Sequence, residues 1–247
     1  MKLLNLLEQD LRHWIEQGNK RILFNERDFQ LQLAMWLLRS GNYNAVELEY
    51  HVPAQELNNE NDYVWVNTNR KKNEESLPTE LQEMYLDIVV EKDGQFAIVE
   101  LKYPTKIEPI KTKRFGDSKE FTDILKNQGA DNIVKYNFWK DVRRIELVKR
   151  RFSNVVGGFA FMLTNDKIYQ FQSKASTYKF NFSMAEKTKD GHTILHSKDK
   201  SWVQVKGKDT SLKVHLPNFR VDKEYETPWD STLFDNVEFY YTIVKID

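Results

Sequence analysis

The sequence predicts a mixed α/β fold: helices packed on a central mixed sheet, with antiparallel strands added towards the C-terminus. Three observations carry that expectation. Apolar residues recur at helical spacing near 3–17 and 26–39. Two short apolar runs flank an Asp93-Gly94 turn, and a third run, Val155 to Thr164, is almost wholly apolar. Beyond residue 168, aromatic and polar residues alternate in short segments, the period of half-buried antiparallel strands.

Each element has its own signal. Leu3, Leu4, Leu7, Leu11 and Trp14 form one stripe, and Gly18 ends it. In the second helix Asn25 is a good N-cap, Glu26 and Asp28 suit the positive end of the dipole, and Ser40-Gly41 is a stop. Val46, Leu48, Tyr50 and Val52 alternate with Glu47, Glu49 and His51, which predicts a half-buried strand over 45–53. Residues 54–80 form a polar insertion, with a short strand expected at Tyr63–Val66. Leu86–Val90 and Phe96–Leu101 are the strands of a hairpin, because Asp-Gly supplies the positive φ that a tight turn requires. A long helical region is expected near 118–151, opened by Asp117 with Glu120 three residues later, in the manner of a capping box. Val155–Thr164 suits a buried central strand. Ile168–Phe171, Tyr178–Phe182, Trp202–Val205, Leu212–Leu216 and Phe239–Val244 are expected as strands that continue the sheet. The chain is expected to be a single domain, with a core over about 20–170, an N-terminal helix at 3–17 and a β-rich extension at 168–247.

The hairpin carries the chemistry. Asp87 interrupts one apolar strand, and Glu100 then Lys102 interrupt the other. Acids are depleted from strands, and burying an unpaired charge is costly. Side chains alternate faces, so Glu100 and Lys102 project together, and Asp87 lies opposite the stretch near Glu100. Two carboxylates so placed can hold a hard divalent cation such as Mg2+ or Mn2+. A neighbouring Lys can orient water and offset charge at a phosphate, which suits metal-assisted hydrolysis. Glu26 shares a helix face with Gln30, Leu33 and Leu37, from which it could reach the same sheet edge.

This pattern resembles the PD-(D/E)XK nuclease superfamily, whose signature is an acid in one strand and then Asp or Glu, any residue, and Lys in the next. Asp87, Glu100 and Lys102 match it; the usual Pro before the first acid is replaced by Leu86. Asn127–Asp131 with Phe138–Glu146 is similar to an uncharacterised subgroup of these nucleases in bacteria. The resemblance implies a restriction-endonuclease-like three-layer α/β/α core, which the order helix, three strands, helix, strand would supply. It implies a Mg2+-dependent (or Mn2+-dependent) phosphodiester hydrolase, with Asp87, Glu100 and Glu26 as metal ligands, Lys102 as the group that positions water, and Gln128 as a polar residue supplied by the following helix. DNA is the implied partner, with RNA left open, and a homodimer is expected where both strands are cut. The alternative reading is a catalytically inactive module of the same fold that binds nucleic acid or a protein.

Composition bounds these readings. The 247 residues are 40% hydrophobic and 30% charged, enough for a substantial core. The formal net charge is zero, so phosphate contacts must come from local clusters. Lys106, Lys111, Lys113 and Arg114 crowd the loop after Lys102, and Lys135 shares a helix face with Gln128. Lys140, Arg143, Arg144, Lys149, Arg150 and Arg151 are read either as a second such cluster or as a solvated helix face. Cysteine is absent, which excludes disulfides and thiolate chemistry and fits a cytoplasmic protein. Glu8, Asp10 and Arg12 interrupt any apolar leader, and no apolar run is long enough to span a membrane. His192 and His196 lack a helical context and form no zinc motif, and there is no P-loop or nucleophile elbow.

Overall fold

The apolar pattern resolves into a mixed six-stranded sheet with three α-helices. The computed structural model describes residues 2–18, 20–52, 84–114, 116–127, 130–171, 179–180, 182–203 and 218–247. The expected polar insertion and the strand at Leu212–Leu216 lie outside the described residues, as do Gln128, Tyr178, Asn181, Gln204 and Val205. In chain order the main elements are α1 (Leu3–Gln17), α2 (Glu26–Arg39), β1 (Ala45–Val52), β2 (Met84–Lys92), β3 (Gln95–Lys102), β4 (Glu108–Arg114), β5 (Asp117–Leu125), α3 (Asp131–Arg151) and β6 (Val155–Thr164). Short strands follow at Lys179–Phe180 (β7), Asp199–Lys200 (β8), Trp202–Val203 (β9) and Phe219–Arg220 (β10), then β11 (Trp229–Phe234) and β12 (Val237–Ile246).

The large sheet has the order β1-β2-β3-β6-β12-β11. Only β3 and β6 run parallel; every other neighbouring pair is antiparallel. The C-terminal strand β12 thus pairs beside the central strand β6. Helices α1 and α2 cover one face through Leu7, Leu11, Trp14, Phe29, Leu33 and Leu37, which pack with Ile88, Val90, Val99, Leu101 and Phe161. Helix α3 covers the other through Tyr136, Trp139, Val142 and Ile145, which pack with Val89, Ile98, Ala160 and Met162. Because β3 alternates, Glu100 and Lys102 share the Ile98 side and project beneath α3.

Local chemistry fixes the elements that matter. The Asn25 side chain accepts the Asp28 N–H at 2.9 Å, capping α2 at Glu26. Asp93 and Gly94 adopt φ of +52° and +76°, the double positive of a type I′ turn, which sets the β2–β3 register. The Gly157-Gly158 pair answers to crowding on both sides of β6. A Cβ on Gly157 would lie 2.1 Å from the Ile246 carbonyl oxygen, and one on Gly158 2.3 Å from that of Ile98.

Three expectations differ. The strand residues described in Tyr178–Phe182 and Trp202–Val205 do not continue the sheet, because β7 pairs with β9 in a separate two-stranded sheet. Residues 117–125 are not the start of a long helix. They form β5, paired antiparallel with β4, and α3 begins only at Asp131. The Asp117–Glu120 spacing is a local signal, but Ile110 and Leu125 gain full burial against the α1–α2 layer when the segment folds back as a hairpin. Residues 167–170 are a 3-10 turn rather than a strand, held by the Asp166 carboxylate accepting the Ile168 N–H at 3.1 Å.

Candidate active site

The site forms where β2 and β3 part. Their ladder is regular from Lys92↔Gln95 to Ile88↔Val99 and then stops. The next residue of β2 is Asp87, whose Oδ2 accepts the Leu101 N–H at 2.6 Å in place of a backbone partner. On the other side of β2, the ladder with β1 skips Asp87 and Glu49, and Glu49 sits at φ +49°, a strained conformation for a non-glycine residue. Gln30 of α2 clamps this kink, donating to Glu49 Oε1 at 3.0 Å and to the Asp87 carbonyl at 2.6 Å. The break in the sheet therefore aims Asp87 out of the ladder.

Three elements converge there. Glu26 opens α2, and its Oε2 accepts the Tyr103 N–H at 3.0 Å, just past the end of β3. Glu100 and Lys102 come from β3. Asp141 and Arg144 come from α3, three residues apart and so on one face. Lys102 Nζ lies 2.5 Å from Asp141 Oδ2 and donates to the Leu101 carbonyl at 2.8 Å. Arg144 Nη1 lies 3.2 Å from Glu100 Oε1 and 3.4 Å from Asp141 Oδ1, and its Nη2 donates to the Tyr85 carbonyl.

These contacts leave the site poorly satisfied. Glu100 is 1% exposed, and neither of its carboxylate oxygens has a hydrogen bond; the Arg144 contact is close but off the donor direction. Asp141 Oδ2 is in the same condition despite its contact with Lys102. Burial pushes the carboxyls of Glu26 and Asp87 above their usual range, and that of Glu100 well above it, with the mutual repulsion of the acids adding to the effect. Burial alone would lower the Lys102 ammonium, but Asp141, Glu26, Asp87 and Glu100 together override it and hold Lys102 protonated. Burial also lowers Lys140, on the same face of α3. A cleft of about 350 Å³ opens onto the cluster, lined by Glu26, Lys102, Asn137, Lys140, Asp141 and Arg144.

Glu26 of α2 is thus brought together with Asp87, Glu100 and Lys102 of the β2–β3 hairpin. Gln128 lies outside the described residues. The assignment of Lys135 to nucleic acid is corrected. Its side chain is 1% exposed, paired with Asp131 at 3.0 Å and lying over the Tyr169 ring, so it faces the protein interior. Lys106 and Lys111 are exposed, on the connection after β3 and on β4, and for Lys113 and Arg114 the described backbone places both on β4. That loop cluster is weaker than its sequence suggests, because β4 and β5 together carry four basic and four acidic residues, with Lys111 opposite Glu120 and Arg114 opposite Asp117. The residues not assigned to the site beforehand are Asp141, Arg144 and Lys140. Their spacing with Asn137 (i, i+3, i+4, i+7) marks one helix face, but that face carries no apolar stripe to declare it buried. His196 is buried with Nε2 2.9 Å from Thr227 Oγ1, whereas His192 is exposed, so the two do not converge.

The donor set of Glu26, Asp87 and Glu100 is all oxygen, the chemistry that hard divalent cations select, and the two orphaned oxygens of Glu100 are buried acceptors in want of a partner. Among the described residues no group of three or more His, Cys, Asp or Glu side chains is placed to hold a metal ion, and Arg144 stands 3.2 Å from Glu100. Comparison with family profiles, with curated proteins and with solved structures gives no match to this chain. Among the described residues no helix is long and apolar enough to cross a membrane.

Proposed function

We propose that this chain is a metal-dependent nuclease of the PD-(D/E)XK type that hydrolyses phosphodiester bonds in DNA. One observation carries the reading: Glu100, fully buried and without a hydrogen bond on either oxygen, lies within the fields of Asp87 and Lys102 and 3.2 Å from Arg144, which lines an open cleft. A group left so unsatisfied costs stability, and such costs concentrate at functional sites. The order of α2, β1, β2, β3, α3 and β6, with β3 and β6 parallel, supports the restriction-endonuclease-like core.

In this reading Asp87 and Glu100 hold Mg2+ or Mn2+, with Glu26 as a further ligand, direct or through water. The bound cation supplies charge neutralisation at the phosphate and a more acidic water. Lys102, in contact with Asp141, would serve as a donor to the attacking water or a phosphate oxygen. Glu26 lines the cleft, from which it could take the proton that the water loses. Asp141 positions Lys102 through their contact.

The test is a cleavage panel on linear, circular, branched and single-stranded DNA with Mg2+ and Mn2+. Lys102→Ala is expected to abolish cleavage, by 100-fold or more (roughly the loss when one preorganised charge is removed), with an unchanged circular dichroism spectrum. Equal cleavage by the two proteins removes the assignment. A second reading, an inactive module of the same fold, is favoured by one fact: Asp141 and Arg144 already neutralise Lys102 and Glu100 internally. Calorimetric titration with Mg2+ separates the two readings. Binding that is lost in Asp87→Asn favours the nuclease, and no binding at millimolar cation favours the module.

A further inference from the structure

Arg144 occupies a position that the chemistry of the site cannot leave unchanged. Its guanidinium stands 3.2 Å from Glu100 Oε1 without a properly directed hydrogen bond, bridges to Asp141 Oδ1 at 3.4 Å, and is tethered on its far side by the Tyr85 carbonyl, two residues before Asp87. It is the counter-ion of the carboxylate that has no other partner. A divalent cation on Glu100 and a guanidinium at that distance would repel each other in a site with little water to screen them. Arg144 also lines the open cleft, one turn from Lys140, which has no ion pair among the described residues. The displaced guanidinium keeps Asp141 within reach and, because it lines the cleft, can meet an anion there. Its planar fork matches two phosphate oxygens, which a lysine cannot do in the same way.

We propose that Arg144 is an exchangeable counter-ion: it neutralises Glu100 in the cation-free site and transfers to a substrate phosphate when a divalent cation arrives, so that cation and phosphate diester bind cooperatively. The proposal rests on the reading of the site as a phosphodiester hydrolase. It adds that the cation alone binds weakly, because it must displace Arg144, and that phosphate repairs this loss. Linkage makes the effect reciprocal: the factor by which phosphate tightens the cation equals the factor by which the cation tightens phosphate. Lys102 does not take this role, because it remains held by Asp141 at 2.5 Å.

The experiment is isothermal titration calorimetry of the full chain with Mg2+, in the absence and presence of a phosphorothioate dinucleotide that resists hydrolysis, for wild type and Arg144→Gln. Wild type is expected to bind Mg2+ at least about 5-fold more tightly with the dinucleotide, at the lower end of typical coupling. Arg144→Gln is expected to bind Mg2+ alone about 5-fold more tightly than wild type, and to lose most of the coupling. Mg2+ binding that is unchanged or weakened by Arg144→Gln, with wild-type coupling, overturns the counter-ion role while leaving the nuclease reading intact. Absence of any Mg2+ binding in both proteins overturns both. If Arg144→Gln does not fold, Arg144→Lys carries the test: it keeps the charge but not the fork, so the affinity for Mg2+ alone should stay within about 2-fold while the coupling falls. Unchanged coupling in that variant overturns the proposal.

Discussion

Helix α3 carries two ion networks that begin at adjacent residues and end in opposite conditions. Arg143 turns towards Glu146 and Asp222, and Arg144 towards Glu100 and Asp141. In the first network Glu146 Oε1 accepts the Asp222 N–H and the Tyr225 hydroxyl, both at 2.8 Å, and Oε2 accepts Arg143 at 3.1 Å. Asp222 takes Arg143 and Arg150, each at 2.7 Å, and despite some burial these contacts hold its carboxyl below the usual range. In the second network Glu100 is buried with neither oxygen bonded and its carboxyl raised well above the usual range, and Asp141 Oδ2 is also unsatisfied, whereas Glu146, which burial likewise raises, has both oxygens bonded. The residue types are the same, so the difference lies in satisfaction. A buried ion pair that completes its hydrogen bonds serves as a structural clasp; one that leaves acceptors empty holds a place for something else.

The comparison is broken most directly by Glu146→Ala. Removal of that carboxylate strips two donors of their acceptor and Arg143 of a buried counter-charge. The expected loss is about 3–5 kcal/mol of stability, as for other broken buried pairs, read from the urea midpoint at constant m. DNA cleavage by the folded protein should be unchanged. A loss under about 1 kcal/mol would mean that the clasp is no tighter than the site.

Glu100→Gln should do the reverse. A neutral amide of the same shape removes a desolvated charge, so the variant should gain of order 1 kcal/mol near pH 8, or about 2–4 °C in Tm for a chain of this size, while losing Mg2+ binding. The pH dependence sharpens the point. Burial raises the Glu100 carboxyl above its unfolded value, so the stability that its proton contributes is complete below the ordinary glutamate range and is lost as pH rises through the raised value. The advantage of the variant should therefore grow from acid towards alkaline pH. An advantage that shrinks on that path would place the Glu100 charge in a satisfied site.

The same contrast explains what the sequence discloses. Local signals place α2 at Glu26–Arg39, the Asp93-Gly94 turn and the β6 run, because caps, turn φ and unbroken apolarity act within a few residues. Once that hairpin is set, alternation alone puts Glu100 and Lys102 on one face. Two features depend on distant residues and are not legible. The hairpin of β4 and β5 exists because Ile110 and Leu125 find the α1–α2 layer, against a local capping pattern. The charges of α3 look alike along the chain; Lys135 is interior, Arg143 is a clasp and Arg144 belongs to the site, as Tyr169, Asp222 and Glu100 respectively determine.

On the proposed nuclease reading, the smallest effect concerns which lysine would meet DNA. Lys140 lines the cleft and has no ion pair among the described residues, whereas Lys111 on β4 stands opposite Glu120 in a hairpin whose charges balance. A lysine that contacts phosphate releases about one counter-ion, so its loss changes the slope of log K against log salt by about 1. Lys140→Ala should show that change when duplex binding to the Lys102→Ala protein is titrated at several salt concentrations, and Lys111→Ala should change the slope by much less. The reverse order would move the DNA track off α3 and onto the β4–β5 hairpin, where a β-ribbon and not a helix face would meet the phosphates.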